Sequence, residues 1–314
     1  MVGRASGSLC GCDGGQHPLA TGEQAQAGGL TQGLFARRSL LLAGLFGVAG
    51  LNQGCGEAVA QVAAGELPLS FSGSARQSGV IIGTTVAGAK IDAAGIATQA
   101  DAQGRFVLGF DRDAPPTATI TASLGTRSVT RLISVAPRAY QVRNISGLPN
   151  ATVNPPPEAL ARIEREAALK ARAFASQDDR AQGYLERFKW PLKEVRVTSP
   201  WGAVRQLNGA LQRPHYGIDL GGAIGTPIYA PASGVVIMAE PDFHFEGGII
   251  AIDHGQGLIS IYLHQSKLLA KVGQRVAAGT EIGAIGDKGR ATGPHLCWRL
   301  RWRGRQLDPS LMVG

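Results

Sequence analysis

Pro294-His295-Leu296-Cys297-Trp298-Arg299-Leu300-Arg301-Trp302 alternates between apolar and polar side chains, the period of a β-strand whose two faces meet different surroundings. Leu296, Trp298, Leu300 and Trp302 supply one face, which belongs against a core. His295, Cys297, Arg299 and Arg301 share the other. An imidazole and a thiol thus stand side by side with a guanidinium that could hold a carboxylate through two parallel hydrogen bonds. Arg301 and Arg303 read as a solvated cationic continuation of that face.

Short strand-like runs broken by tight turns surround this stretch on its N-terminal side. Gly234-Val235-Val236-Ile237-Met238, Gly248-Ile249-Ile250-Ala251-Ile252-Asp253-His254 and Gly257-Leu258-Ile259-Ser260-Ile261-Tyr262-Leu263-His264 are the clearest. They predict an all-β domain over residues 190–314. At its start, His215-Tyr216-Gly217-Ile218-Asp219 places an imidazole and a carboxylate four apart, and on a strand positions four apart point the same way. Gly217 between them allows a close backbone approach. His215, Asp219 and Cys297 would together give zinc three ligands and leave a fourth position open, the arrangement of a catalytic rather than a structural site. Tyr262 and His264 are expected to share one face of their strand, and a neutral imidazole beside a metal site can exchange protons. His244, among Phe and Glu, and His254, before a Gly-Gln-Gly turn, are left outside the site.

Residues 66–150 show the same strand texture without any gathering of nucleophile, base or metal donors. Val80-Ile81-Ile82, Arg105-Phe106-Val107-Leu108-Gly109-Phe110 and Thr117-Ala118-Thr119-Ile120-Thr121-Ala122 are separated by Asp, Gly and Pro turns, which predicts a small antiparallel β-sandwich that binds or spaces. Asn154-Pro155-Pro156-Pro157 is a stiff linker. It enters a helical segment over residues 157–189, with Leu160, Ile163, Ala167, Ala171 and Phe174 as its apolar stripe. The fold class is therefore mainly β, with a linking helix between an N-terminal sandwich and a C-terminal antiparallel sheet.

Residues 1–60 form a separate leader. Ala36-Arg37-Arg38-Ser39 precedes an apolar run from Leu40 to Leu51, and Ala58-Val59-Ala60 offers a small-residue cleavage site. The run is shorter than the ~20 residues a spanning helix needs, so it reads as a twin-arginine export signal directing the protein to the periplasm or outside the cell. No later stretch reads as a transmembrane segment. Gly54-Cys55 faintly resembles a lipid-anchoring site, but Asn52 stands where an aliphatic is expected. Cleavage after Ala60 would remove Cys10, Cys12 and Cys55 and leave Cys297 alone, so no internal disulfide could form.

The net charge is +8 in 314 residues, and the leader's three Arg balance its three acids, so the exported part is basic. Such a surface concentrates polyanions. There is no helix-turn-helix pattern, aromatic RNA signature or long Lys/Arg run, which argues against nucleic acid. An acidic cell-wall polymer remains.

Ser199-Pro200-Trp201-Gly202, Pro214-His215-Tyr216-Gly217-Ile218-Asp219, Ile252-Asp253-His254-Gly255, Tyr262-Leu263-His264 and Thr292-Gly293-Pro294-His295-Leu296-Cys297 resemble, in this order, the LytM/lysostaphin-type zinc endopeptidases of peptidoglycan. The resemblance implies an antiparallel β-sheet groove with zinc on its floor. By position it makes His215, Asp219 and Cys297 the metal ligands and His264 and His295 the catalytic pair. Arg299 and Tyr262 become the substrate-binding candidates. The departure is Cys297, which stands where the family has the second histidine of H-x-H. Thiolate binds zinc well, but His-Asp-Cys brings two formal negative charges where His-Asp-His brings one, which should make bound water less acidic. The expected function is an exported zinc metalloendopeptidase acting on peptidoglycan cross-links. The alternative is a degenerate, wall-binding scaffold that activates a cell-wall amidase.

Overall fold

Strand β19 (His295–Trp302) lies near the centre of the C-terminal domain, with strands numbered in chain order. In the computed structural model its alternation is realised. Leu296, Trp298, Leu300 and Trp302 have no exposed surface, while His295, Arg299 and Arg301 are partly open on the opposite face beside a buried Cys297. β19 pairs antiparallel with β16 (Leu258–Leu268) and β12 (Ile218–Gly221), setting Cys297 across from both Leu263 and Asp219. Around these three, the main path of a ten-stranded sheet runs β17-β14-β15-β16-β19-β12-β9, with β13 (Pro227–Tyr229), β18 (Glu281–Ile285) and β20 (Arg305–Leu307) paired off it. Its outer members are β17 (Arg275–Val276), β14 (Gly234–Phe243), β15 (Gly247–Asp253) and β9 (Val197–Ser199).

The structure describes residues 66–145, 157–178, 180–207, 210–211 and 213–314. The arginine pair, apolar run and three cysteines of the leader, and the linker through Pro156, lie outside the described residues. No described helix is long and apolar enough to cross a membrane.

The expected sandwich is present as a three-stranded sheet, β1 (Ser70–Ser72), β2 (Val80–Thr84) and β5 (Arg105–Gly109), and a four-stranded sheet in the order β4-β3-β6-β7. The latter comprises β3 (Lys90–Ala93), β4 (Ile96–Gln99), β6 (Thr117–Leu124) and β7 (Arg127–Ser134). It is not a separate body. Phe106 and Leu108 belong to the same buried cluster as Trp298, Trp302 and Leu307. A Cβ added at Gly109 would lie 2.8 Å from Leu307 and 3.2 Å from Trp302, so glycine is what lets the two parts close to contact. Polar groups cross the same seam. The Val107 amide donates to the Gln256 side chain at 3.1 Å, Gln256 donates back to the Arg105 carbonyl, and Asp308 pairs with Arg138 at 2.9 Å. β8 (Val142–Ile145), inside the expected sandwich limits, pairs in parallel with β10 (Val204–Leu207) of the following domain. All described residues fall in one compact unit.

Helix α1 (Pro157–Phe174) forms where the linker prolines end, but of the expected stripe only Phe174 joins the packed cluster. Leu160 is 53% exposed, and Ala167 and Ala171 are exposed too. The packed side runs instead through Glu166, Lys170, Ala173 and Phe174, against Met238, Ile261 and Leu263 on the site's face of the large sheet. Charge pairing decides this orientation. Glu166 accepts from Arg162 at 2.6 Å and from the His244 amide at 2.8 Å, and Lys170 pairs with Glu246.

Candidate metal centre

Four pieces of chain meet at one end of the groove face. β12 carries Asp219, and the turn before it carries His215, whose amide donates to the Ala203 carbonyl and whose carbonyl accepts from Gly202. His215 therefore reaches Asp219 from a pinned turn rather than from the same strand. β19 brings Cys297 and His295, and β16 brings His264.

His215 Nε2 lies 3.3 Å from Cys297 Sγ and 3.3 Å from Asp219 Oδ1. All three donor atoms fall within 4.8 Å of one another. Asp219 Oδ1 is buried and makes no hydrogen bond, although a buried carboxylate oxygen ordinarily has a partner. One nitrogen, one oxygen and one sulfur at these separations form a donor set that suits zinc, three of the about four ligands it usually takes. The group proposed from sequence is thus brought together, and its residues fit a metal ion.

His264 and His295 lie beside it with ring centroids 4.7 Å apart. His264 Nδ1 is 2.8 Å from the Lys288 carbonyl, and His295 Nδ1 is 2.8 Å from the Gly293 carbonyl. A carbonyl only accepts, so both Nδ1 atoms carry the proton, and in the neutral rings both Nε2 atoms keep a lone pair for the site. His295 Nε2 lies 3.6 Å from Asp219 Oδ1. Burial lowers the basicity of His264, with the charges of His295 and Arg299 acting in the same direction and the Lys288 carbonyl opposing them. Burial also pushes the Cys297 thiol up to about 12, partly offset by Arg299. A sulfur this deeply buried holds its proton until a cation takes its place.

Three expectations are corrected. Tyr262 is not a substrate contact: it has no exposed surface, it sits opposite Trp298, and its hydroxyl bonds Ser260 at 2.7 Å. It does not share a face with His264 because β16 bulges there. Gly248 pairs with Gln265 but Ile250 pairs with Tyr262, and His264 takes a positive φ of 65°. The extra residue turns His264 onto the groove side. Arg299, partly exposed on the same face, points its Nε at Cys297 Sγ, 3.4 Å away. Arg301 and Arg303 are not a solvated face either. Arg301 stacks 4.5 Å from the Phe174 ring centroid, and Arg303 donates to the Ala97 carbonyl.

Residue chemistry had set aside His254 and His244, and the structure places both outside the site. His254 is buried between the Ser233 carbonyl and Ser260, and the His244 ring packs edge-on against Phe245. The sequence reading missed the carbonyls of Lys288, Gly293 and Glu246. The last accepts the His264 amide at 2.8 Å. Backbone groups leave no residue-type signal, and only the glycines around them, Gly247 and Gly289, both at positive φ, hint at an ordered loop.

Known proteins match this same region. The pattern of peptidase family M23 matches residues 213–309, which span every residue of the centre. Peptidoglycan DD-endopeptidase ShyA of Vibrio cholerae is 42% identical over 129 residues, covering 40% of this chain and 28% of its own length. DD-carboxypeptidase/endopeptidase Mpg of Neisseria meningitidis is 34% identical over 119 residues, covering 38% and 27%. The chain thus spans little more than a quarter of these curated relatives. A peptidase M23 crystal structure from Pseudomonas aeruginosa superposes with a TM-score of 0.59 at 28% identity, covering 77% of this chain and 96% of that one. With the matched region and the gathered His, Asp, Cys and His residues coinciding, this chain carries a peptidase family M23 domain.

Proposed function

We propose that this protein is an exported zinc metalloendopeptidase that hydrolyses peptide cross-links of peptidoglycan. The observation that carries the reading is the meeting of the His215, Asp219 and Cys297 donor atoms within 4.8 Å, flanked by two imidazoles with bare Nε2 atoms. The name of ShyA, a peptidoglycan DD-endopeptidase, points to cell-wall peptide bonds. The net charge of +8 suits an acidic polymer, and the leader suits delivery to it.

Zinc held by His215, Asp219 and Cys297 would supply Lewis acidity, polarising a carbonyl and acidifying a water. His264, neutral because burial lowers its basicity, takes a proton from the attacking water at Nε2. His295, once protonated at Nε2 and held near Asp219, donates to the oxygen that gains charge at the scissile carbon. The amide C–N bond then breaks as His264 passes the proton it took to the departing nitrogen, which leaves as a free amine, and the carbonyl carbon becomes a carboxylate.

Purified sacculi incubated with the zinc-loaded protein should release new amino groups, and a chelator should stop this. No new amino groups from protein containing one zinc per chain would reject hydrolysis. One observation favours the second reading, a non-catalytic wall-binding scaffold for a cell-wall amidase: the sulfur at the position of a family imidazole. In that case the purified protein would carry no stoichiometric zinc and would stimulate an amidase instead.

A further inference from the structure

We propose that Arg299 is a positioning residue for the metal centre: it donates Nε–H to Cys297 Sγ and offsets the charge that the sulfur adds. This rests on the zinc reading above.

The two side chains are alternate neighbours on the groove face of β19, held in register by Ile261 opposite Arg299 and Leu263 opposite Cys297. Nε lies 3.4 Å from Sγ, within the range of an N–H···S hydrogen bond, and the guanidinium is only partly exposed. The contact is also closed from above. A Cβ at Gly217 would fall 2.6 Å from Cys297 Sγ and 3.3 Å from Arg299 Nε, so the His215–Asp219 segment lies directly on the pair and leaves no space for another side chain between them. Glu246 and Asp219 flank the guanidinium and favour its charge.

A metal-bound cysteine is an anion, so with Asp219 it places two negative charges on the cation. A fixed guanidinium against the sulfur would stabilise the anionic form of the ligand that a metal needs and return the local charge toward that of a site with a single anionic ligand. Groups that hydrogen-bond a metal ligand tune affinity and electronics in this way. Because Arg is charged at every working pH, the compensation is permanent.

The test uses the full chain loaded with Co²⁺, whose sulfur-to-metal charge-transfer band in the near ultraviolet reports the thiolate directly. The wild type should show this band and Cys297→His should lack it. Absence of the band in the wild type would overturn the ligand assignment together with this inference. Arg299→Met should move the band to lower energy, because the sulfur loses its hydrogen bond, and a band that stays in place would overturn the inference while leaving the centre intact. Zinc affinity, measured by competition with a chromophoric chelator, should fall by about 10- to 100-fold on Arg299→Met. In the Cys297→His background the same change should cost less than about 3-fold. Equal losses in both backgrounds would reduce Arg299 to a packing role and overturn the pairing. If Arg299→Met does not fold, Arg299→Lys carries the same cycle: it should move the band yet lose less affinity, and an unmoved band would again refute the hydrogen bond.

Discussion

His254 is wholly buried, with Nδ1 donating to the Ser233 carbonyl at 2.7 Å and Nε2 accepting from Ser260 at 2.7 Å, which in turn bonds Tyr262. Burial pulls it down to about 4, against the smaller opposing effects of the Ser233 carbonyl, Asp253 and Glu186. An unfolded histidine titrates near 6.5, so between these values the unfolded chain binds the extra proton. The stabilisation is full above about pH 6.5, declines by about 1.4 kcal/mol per unit as the pH falls, and levels off below about 4. Urea unfolding midpoints at pH 7 and pH 5 should show this loss, and His254→Gln should flatten that part of the profile. At the same scale, His264 occupies a positive φ of 65°, a conformation that costs a non-glycine residue about 1–3 kcal/mol and persists where surrounding structure enforces it. Here the enforcing contacts are the Glu246 and Lys288 carbonyls.

At the scale of elements, the turn between β14 and β15 and the loop before β19 act together on His264. A Cβ at Gly247 would fall 2.5 Å from the Lys288 carbonyl oxygen, and Gly247 has a φ of 61°. Gly247→Ala should therefore displace the carbonyl that holds His264 Nδ1. Under the proposed function, turnover on sacculi should drop by about 10²-fold, the scale of losing an aligned general base, with the metal content of the variant equal to that of the wild type. Helix α1 offers a second test. Phe174, which stacks with Arg301 and packs on the Met238–Leu263 cluster, should cost about 1–2 kcal/mol when changed to Ala. Leu160→Ser, at a position 53% exposed, should leave the urea midpoint unchanged. The reverse result would restore the apolar stripe as the buried face.

Over the whole molecule, the sandwich and the sheet that carries the candidate metal centre share one core. Trp302 has no exposed surface, and its neighbour Leu307 meets Gly109 of β5. Trp302→Ala should cost about 3–5 kcal/mol. Thermal unfolding followed by near- and far-ultraviolet circular dichroism should still give coincident single transitions, and two separated transitions would show that the sandwich folds independently.

The mainly β fold and the identities of the gathered residues were legible in the chain, because period-two alternation such as Leu296-Cys297-Trp298-Arg299 is local and local sterics set which face each strand residue takes, whereas His215 reaches Asp219 only through a turn pinned by Gly202 and Ala203. The sequence by itself determined which atoms could bind a cation and that a sulfur is among them. Only the tertiary structure decided that Tyr262 is core, that His264 turns into the site through a bulge, that Arg299 faces the sulfur, and that α1 packs by its ion pairs with Ala173 and Phe174 rather than by its whole apolar stripe. Each of these outcomes depends on a partner distant in sequence, such as Glu246, Lys288 or Gly217. Alternation along one strand carries no information about what the neighbouring chain brings to it.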